Sequence, residues 1–180
     1  LYFNPATLGI KAGNLRVLSD DSDEATLNFA LSGEGTNPDV STDNSSLDFL
    51  SQEIAIGATA SQFVTITNTG TGPLTIANIN LVSTQFSIIS DTGEAVLSTG
   101  QNRLVEVSFD PTSTGLKNAS LTVNSDDPDQ PARSVSLSGT GTAPDISANV
   151  ASLNFNAQDI LQGSTANQSV TLSNDGDGRL

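Results

Sequence analysis

The sequence predicts an all-β chain, an antiparallel β-sandwich repeated in tandem with a period of 106 residues. Three observations predict it. Residues 1–74 align with residues 107–180 without a gap, with 33 identities in 74 positions, about 45%. Apolar and polar residues alternate with a period of two, as in strands that bury one face. Turn signals rich in Gly, Pro, Asn and Asp separate these runs at intervals of roughly 8–15 residues. Composition agrees: Ser and Thr supply 44 of 180 residues and only 14% are charged, a balance that suits short strands better than long exposed helices.

The elements follow in chain order, each checked against its copy. Leu15 and Val17 begin the first clear alternation and return as Leu121 and Val123; Leu31 returns as Leu137. Phe3-Asn4-Pro5 returns as Phe109-Asp110-Pro111, and Ser32-Gly33-Glu34-Gly35-Thr36 as Ser138-Gly139-Thr140-Gly141-Thr142. Val64 and Ile66, alternating with Thr65 and Thr67, return as Val170 and Leu172. Val105, Val107 and Phe109 alternate with Glu106 and Ser108. Positions that stay apolar between copies are expected inside. Phe63, which becomes Ser169, and Tyr2, which becomes Ser108, are expected outside. The turns fall at 68–73, 98–100, 110–115 and 126–131.

The joint between copies is expected after Gly-x-Gly-Thr, at Asn37-Pro38-Asp39 and again at Ala143-Pro144-Asp145. Glycine permits a turn there, and proline disfavours a helical residue before it. Residues 37–142 are then one complete repeat. Residues 1–36 are the C-terminal part of a preceding repeat, and 143–180 the N-terminal part of the following one. Neither flank is long enough to close a sandwich. The expectation is an excerpt of a longer chain, with β-strand addition between copies in a head-to-tail filament as the competing arrangement.

The segments FVTITNTGTGPLTI (63–76) and VEVSFDPTSTGLKNASLTVNSDDPDQPARSVSLSGTGT (105–142) resemble the immunoglobulin-like repeats of Hydin and of bacterial surface proteins, called ASH-type, major-sperm-protein-like or choice-of-anchor D modules. The resemblance extends over 37–142 and both partial copies. It implies a seven- to eight-stranded immunoglobulin-like sandwich, commonly in tandem and commonly non-catalytic, and it implies no ligand.

Chemistry is narrowly bounded. The chain contains no Cys, His, Met or Trp, so it offers neither thiolate nor imidazole. Six Lys and Arg against twenty Asp and Glu leave a net charge of −14, which disfavours nucleic acid and anionic membrane surfaces. No apolar run approaches the roughly 18 residues of a membrane span, so no membrane insertion is expected. Asp20, Asp21, Asp126 and Asp127 form repeated acidic turns. Calcium could use such carboxylates, against the plainer reading that Asp caps backbone N–H groups of a hairpin. The Asn174-Asp175-Gly176-Asp177-Gly178 run imitates a calcium loop, but its copy, Asn68 to Gly72, carries no carboxylate. No cofactor is therefore assigned, and no catalytic, cofactor-binding or metal residue. Sequons at Asn44, Asn118 and Asn167 matter only in a host that glycosylates asparagine.

The expected function is a structural spacer in a long extracellular or cell-surface repeat protein, bacterial in type: a stalk, adhesin or filament. Its expected partners are neighbouring repeats or other copies of the chain, and each unit would add a very rough 35–45 Å at about 3.3 Å per residue. The alternative is a binding module that recognises a glycan or protein through end loops or a sheet edge. An intracellular scaffold is a third reading. No enzyme is expected, because nothing marks a cleft around any pair of carboxylates.

Overall fold

Turn residues cut this chain into short alternating segments, and the segments pair as strands. The structure, a computed structural model, describes residues 1–58 and 61–180. An antiparallel hairpin comes first, β1 (Gly9–Leu18) with β2 (Thr26–Gly35). Nine strands follow: β3 (Val40–Thr42), β4 (Ser46–Glu53), β5 (Ser61–Asn68), β6 (Leu74–Leu81), β7 (Phe86–Asp91), β8 (Val96–Leu97), β9 (Asn102–Phe109), β10 (Gly115–Ser125) and β11 (Ala132–Thr142). Two short strands, β12 (Ile146–Ala148) and β13 (Leu172–Asn174), pair antiparallel after them. Every regular element among the described residues is a strand, and no helix is long and apolar enough to cross a membrane.

The nine central strands form a sheet of order β3-β5-β9-β7 and a sheet of order β4-β11-β10-β6-β8. The alternation predicts the inward set. Val64, Ile66, Val105, Val107, Phe109, Leu121, Val123, Val135 and Leu137 all lie in one buried core drawn from both sheets. Nine strands exceed the seven or eight expected; the shortest two, β3 with three residues and β8 with two, are too short to show an alternation.

Phe49 on β4, Phe86 on β7 and Phe109 on β9 join the two sheets. Their ring centroids lie 4.7 Å apart for Phe86 and Phe109, 5.6 Å for Phe49 and Phe86, and 6.0 Å for Phe49 and Phe109. Such contacts add to the area that the rings bury. Gly139 on β11 makes room for this cluster: a Cβ there would lie 2.6 Å from the Phe109 ring. The copy repeats the device, with a Cβ at Gly33 meeting the Phe3 ring at 2.7 Å. This is why the Phe-x-Pro segment and the terminal Gly-Thr-Gly occur together.

One strand pair departs from the antiparallel expectation. β4 runs parallel to β11, from Ser46 beside Ser136 to Glu53 beside Thr142. The chain leaves β3 in one sheet and crosses through residues 43–45. It then lands beside the last strand of the other sheet, pointing the same way. Thr65 N–H donates to Asp43 Oδ1 at 2.9 Å and fixes the crossing. The register slips between Ser138 and Thr140, opposite Leu50, whose φ is 59°. Asn156 holds the same position in the copy with φ 56°.

Ser108 differs from the outward reading. It is buried on the outer face between β5 and β7, where its hydroxyl lies 2.9 Å from that of Ser87. A small side chain in a central strand is covered by its neighbours, whichever face it occupies. The β1–β2 hairpin keeps the register of β10–β11, with Leu15 beside Phe29 as Leu121 is beside Val135. Its surroundings differ: Val17 is 42% exposed where Val123 is fully buried. The difference comes from the second sheet, which packs on one hairpin and not on the other.

Candidate functional site

Among the described residues no group of three or more acidic side chains is placed to hold a metal. The most elaborately built polar region is the joint where β2 hands over to β3.

The joint begins with Asn68 at the end of β5. Its side chain is buried and uses its whole amide. Oδ1 accepts the N–H of Gly70 at 3.0 Å and of Asp39 at 3.4 Å, while Nδ2 donates to the carbonyls of Gly72 and Leu97, each at 2.8 Å. The turn held this way grips the linker. Thr71 and Gly72 N–H donate to the Asn37 carbonyl at 2.9 and 3.0 Å, and Thr69 N–H donates to that of Asp39 at 2.8 Å. Gly70 lies flat against the linker: a Cβ there would sit 2.4 Å from the Asn37 carbonyl oxygen. Pro38 adds a fixed φ. The linker is thus bonded to the turn at both Asn37 and Asp39.

The second joint is built alike. Asn174 Oδ1 accepts Asp145 N–H at 3.0 Å and Gly176 N–H at 3.2 Å, and its Nδ2 donates to the Gly178 carbonyl at 2.6 Å. Asp175 N–H donates to the Asp145 carbonyl at 2.7 Å, and Gly178 N–H to that of Ala143 at 2.8 Å. A Cβ at Gly176 would meet the Ala143 carbonyl at 2.4 Å. The Asn174–Gly178 turn is closed by these bonds from its asparagine.

The acidic turn at 126–129 reaches the same region from the β10–β11 loop. Asp127 is 1% exposed, and its Oδ2 accepts Val40 N–H at 2.8 Å. Its Oδ1 accepts the N–H groups of Asp129 at 2.9 Å and Gln130 at 3.1 Å. Burial pushes this carboxyl up, but the three backbone donors outweigh it and hold it below the usual carboxylate range. Asp126 accepts Thr75 N–H at 2.8 Å and returns its own N–H to the Thr75 carbonyl at 3.1 Å. In the first copy, Asp21 accepts Asp23 N–H at 3.2 Å. Asp127 Oδ1 thus caps its own turn, while Asp127 Oδ2 and Asp126 Oδ1 reach Val40 and Thr75 on other strands, beyond the local capping expected of a hairpin. Sequence reasoning identified these turns but missed Asn68. Its signal is the Asn shared with position 174 at the head of a Gly-x-Gly turn.

Elsewhere, Arg103 on β9 forms a two-pronged pair with Asp91 on β7, Nε to Oδ1 at 2.7 Å and Nη2 to Oδ2 at 2.6 Å. A third bond runs from Nη1 to the Glu94 carbonyl at 2.8 Å. The Arg103 guanidinium holds the Asp91 carboxyl below its usual range, and Asp91 raises Arg103 in turn. On the outer face of β5 and β9, Phe63 is 47% exposed and lies diagonal to exposed Leu104. The three sequons occupy separate places: Asn44 in the crossing between sheets, Asn118 on β10, and Asn167 ahead of β13, all exposed.

Residues 38–140 match the family of HYDIN/CFA65/VesB-like Ig-like domains. No curated protein matches the chain. Among solved structures, a protein of unknown function from Porphyromonas gingivalis is similar at 15% identity and a TM-score of 0.51, over 76% of this chain and 68% of that one. At that identity the likeness shows the fold. The secreted serine protease VesC of Vibrio cholerae has 17% identity and a TM-score of 0.46, over 61% of this chain and 24% of its own. The ASH/PapD-like domain of human CEP192 has 18% identity and a TM-score of 0.41, over 57% of this chain and 84% of that domain.

Proposed function

The chain belongs to the HYDIN/CFA65/VesB-like family of immunoglobulin-like domains, and on that premise we propose that it is a non-catalytic spacer: one complete unit, residues 37–142, between parts of two others in an extended repeat protein. One observation carries the reading. Both joints are closed by corresponding hydrogen bonds between linker and asparagine turn, at positions 106 residues apart. A linker bonded along its length sets the angle between successive units, so the number of units sets the reach. A flexible linker would leave reach to thermal bending.

The test is a series of arrays with two, three and four copies of the 106-residue period, measured by small-angle scattering. The maximum dimension is expected to grow by a constant increment per unit. An array that coils back, with sub-linear growth, would overturn the reading. We place the array outside the cell, at a bacterial surface, in keeping with its charge of −14 and high Ser and Thr content. Protease treatment of intact host cells would test this, since an intracellular array would survive it.

A binding module is the second reading, favoured by the diagonal of Phe63 and Leu104 on an outer sheet face. It predicts that Phe63→Ser, the residue found at position 169, abolishes capture of a surface partner while leaving array length unchanged.

A further inference from the structure

We infer that the complete unit bears tensile load, with the parallel β4·β11 pair and the β3 staples as its shear-loaded clamp. This rests on the spacer reading for its use in the array, but it concerns the mechanics within one unit. In an array, tension reaches the unit at the linker before β3 and leaves it after β11. β4 and β11 point the same way. Pulling the chain back through β3 and forward through Thr142 therefore slides the two strands along each other.

In that geometry the bonds of all six register pairs share the load at once. Two further bonds extend the seam at its ends, Ser136 N–H to the Ser45 carbonyl at 3.0 Å and Ile54 N–H to that of Thr142 at 2.9 Å. The antiparallel hairpin strands β10 and β11, in contrast, would open one pair at a time if their adjoining ends were pulled apart.

Force meets the staples before it meets the seam. Asn37 and Asp39 carbonyls hold the linker to the 69–72 turn, which runs from β5 of the four-stranded sheet to β6 of the five-stranded one. Val40 N–H, on β3 of the four-stranded sheet, is held by Asp127 Oδ2 on the loop between β10 and β11 of the five-stranded sheet. Tension at the linker is thus divided between both layers. β3 itself runs against β5 over Val40 to Thr42 and is loaded along its axis too. The register slip at Leu50 keys the seam, because β4 cannot advance by one residue without carrying the bulge past Gly139.

The chain has no native cysteine, so paired substitutions define the pulling axis in the full 180-residue protein. Thr36→Cys with Ala143→Cys loads the seam in shear. Asn44→Cys with Ser134→Cys pulls the same two strands apart from one end, at exposed positions. Single-molecule pulling at one loading rate is expected to give a rupture force about twofold or more higher in shear, because six pairs act together and not in turn. Equal forces along the two axes would overturn the inference. If either pair lowers the urea midpoint, Glu34→Cys with Ile146→Cys, both exposed, supplies a second shear axis with the same expectation. Asp127→Asn is expected to lower the shear force and leave the unzipping force unchanged; an unchanged shear force would remove Asp127 from the load path. Scattering growth and force anisotropy fail separately: an array that bends leaves the anisotropy standing, and isotropic rupture leaves the array's length standing.

Discussion

Asn68 is a buried amide whose two acceptor and two donor positions all have backbone partners, the full capacity of the side chain. Removing it strands buried N–H and C=O groups, and each such group costs about 1–3 kcal/mol. Asn68→Ala is therefore expected to lower the unfolding free energy by about 2–4 kcal/mol, read from urea titration; a loss within error would show that water replaces the amide without penalty. Leu50 gives the opposite case. It is 70% exposed, with φ 59°, and left-handed backbone costs a non-glycine residue about 1–2 kcal/mol. Asn156 occupies the same conformation in the copy, and asparagine tolerates it better. Leu50→Asn is expected to stabilise by about 0.5–1 kcal/mol, and an unchanged urea midpoint would refute the strain. The Leu50 and Asn156 pair also shows a boundary of sequence reading. Both N–H groups donate to the side chain two residues earlier, Leu50 to Asp48 Oδ1 at 3.0 Å and Asn156 to Asn154 Oδ1 at 2.9 Å, so the shared dihedral accompanies a local turn that the strand alternation does not announce.

Between elements, the close approach of β11 to β9 rests on the absence of one methyl group. Gly139→Ala would bring a Cβ to 2.6 Å from the Phe109 ring, a ring already packed against Phe49 and Phe86. The expected cost is about 1–3 kcal/mol, the range for overpacking a filled core, and the double substitution Gly139→Ala with Phe109→Leu should recover part of it. If the double variant is no better than the sum of the singles, the two positions do not compete for space. The joint depends on a similar contact at Gly70. Gly70→Ala is expected to loosen the 36–39 linker, seen as faster amide exchange at Thr71 and Gly72, while the core N–H groups of β9 stay protected. Glycine and asparagine at these places were legible as turn signals. Which segment the turn grips was not, because Asn37 and Gly70 are 33 residues apart and meet only when β3 pairs with β5.

For the molecule as a whole, stability should fall on acidification. Asp91 and Asp127 both have folded-state values held below the ordinary carboxylate range. Each therefore contributes stability that is fully present above the unfolded value, about 3.9, and is lost as pH falls through the folded value. The net charge of −14 acts in the other direction, because protonation relieves self-repulsion, and high salt screens that part. In high salt the urea midpoint is expected to be level above about pH 5 and to fall below about pH 4; Asp127→Asn should lower the level portion and flatten the fall. A midpoint that rises below about pH 4 in high salt would refute the assignment. The repeat, the turns and the inward set of the core were readable from residue order alone, because alternation and glycine placement are local and the two copies check each other. The parallel seam and the burial of Ser108 were set by which strands lie side by side in a sheet, and the binding of Val40 by Asp127 by the approach of one sheet to the other. Each joins residues distant in the chain, and the free energy of such a contact exists only once the tertiary structure has brought those strands together.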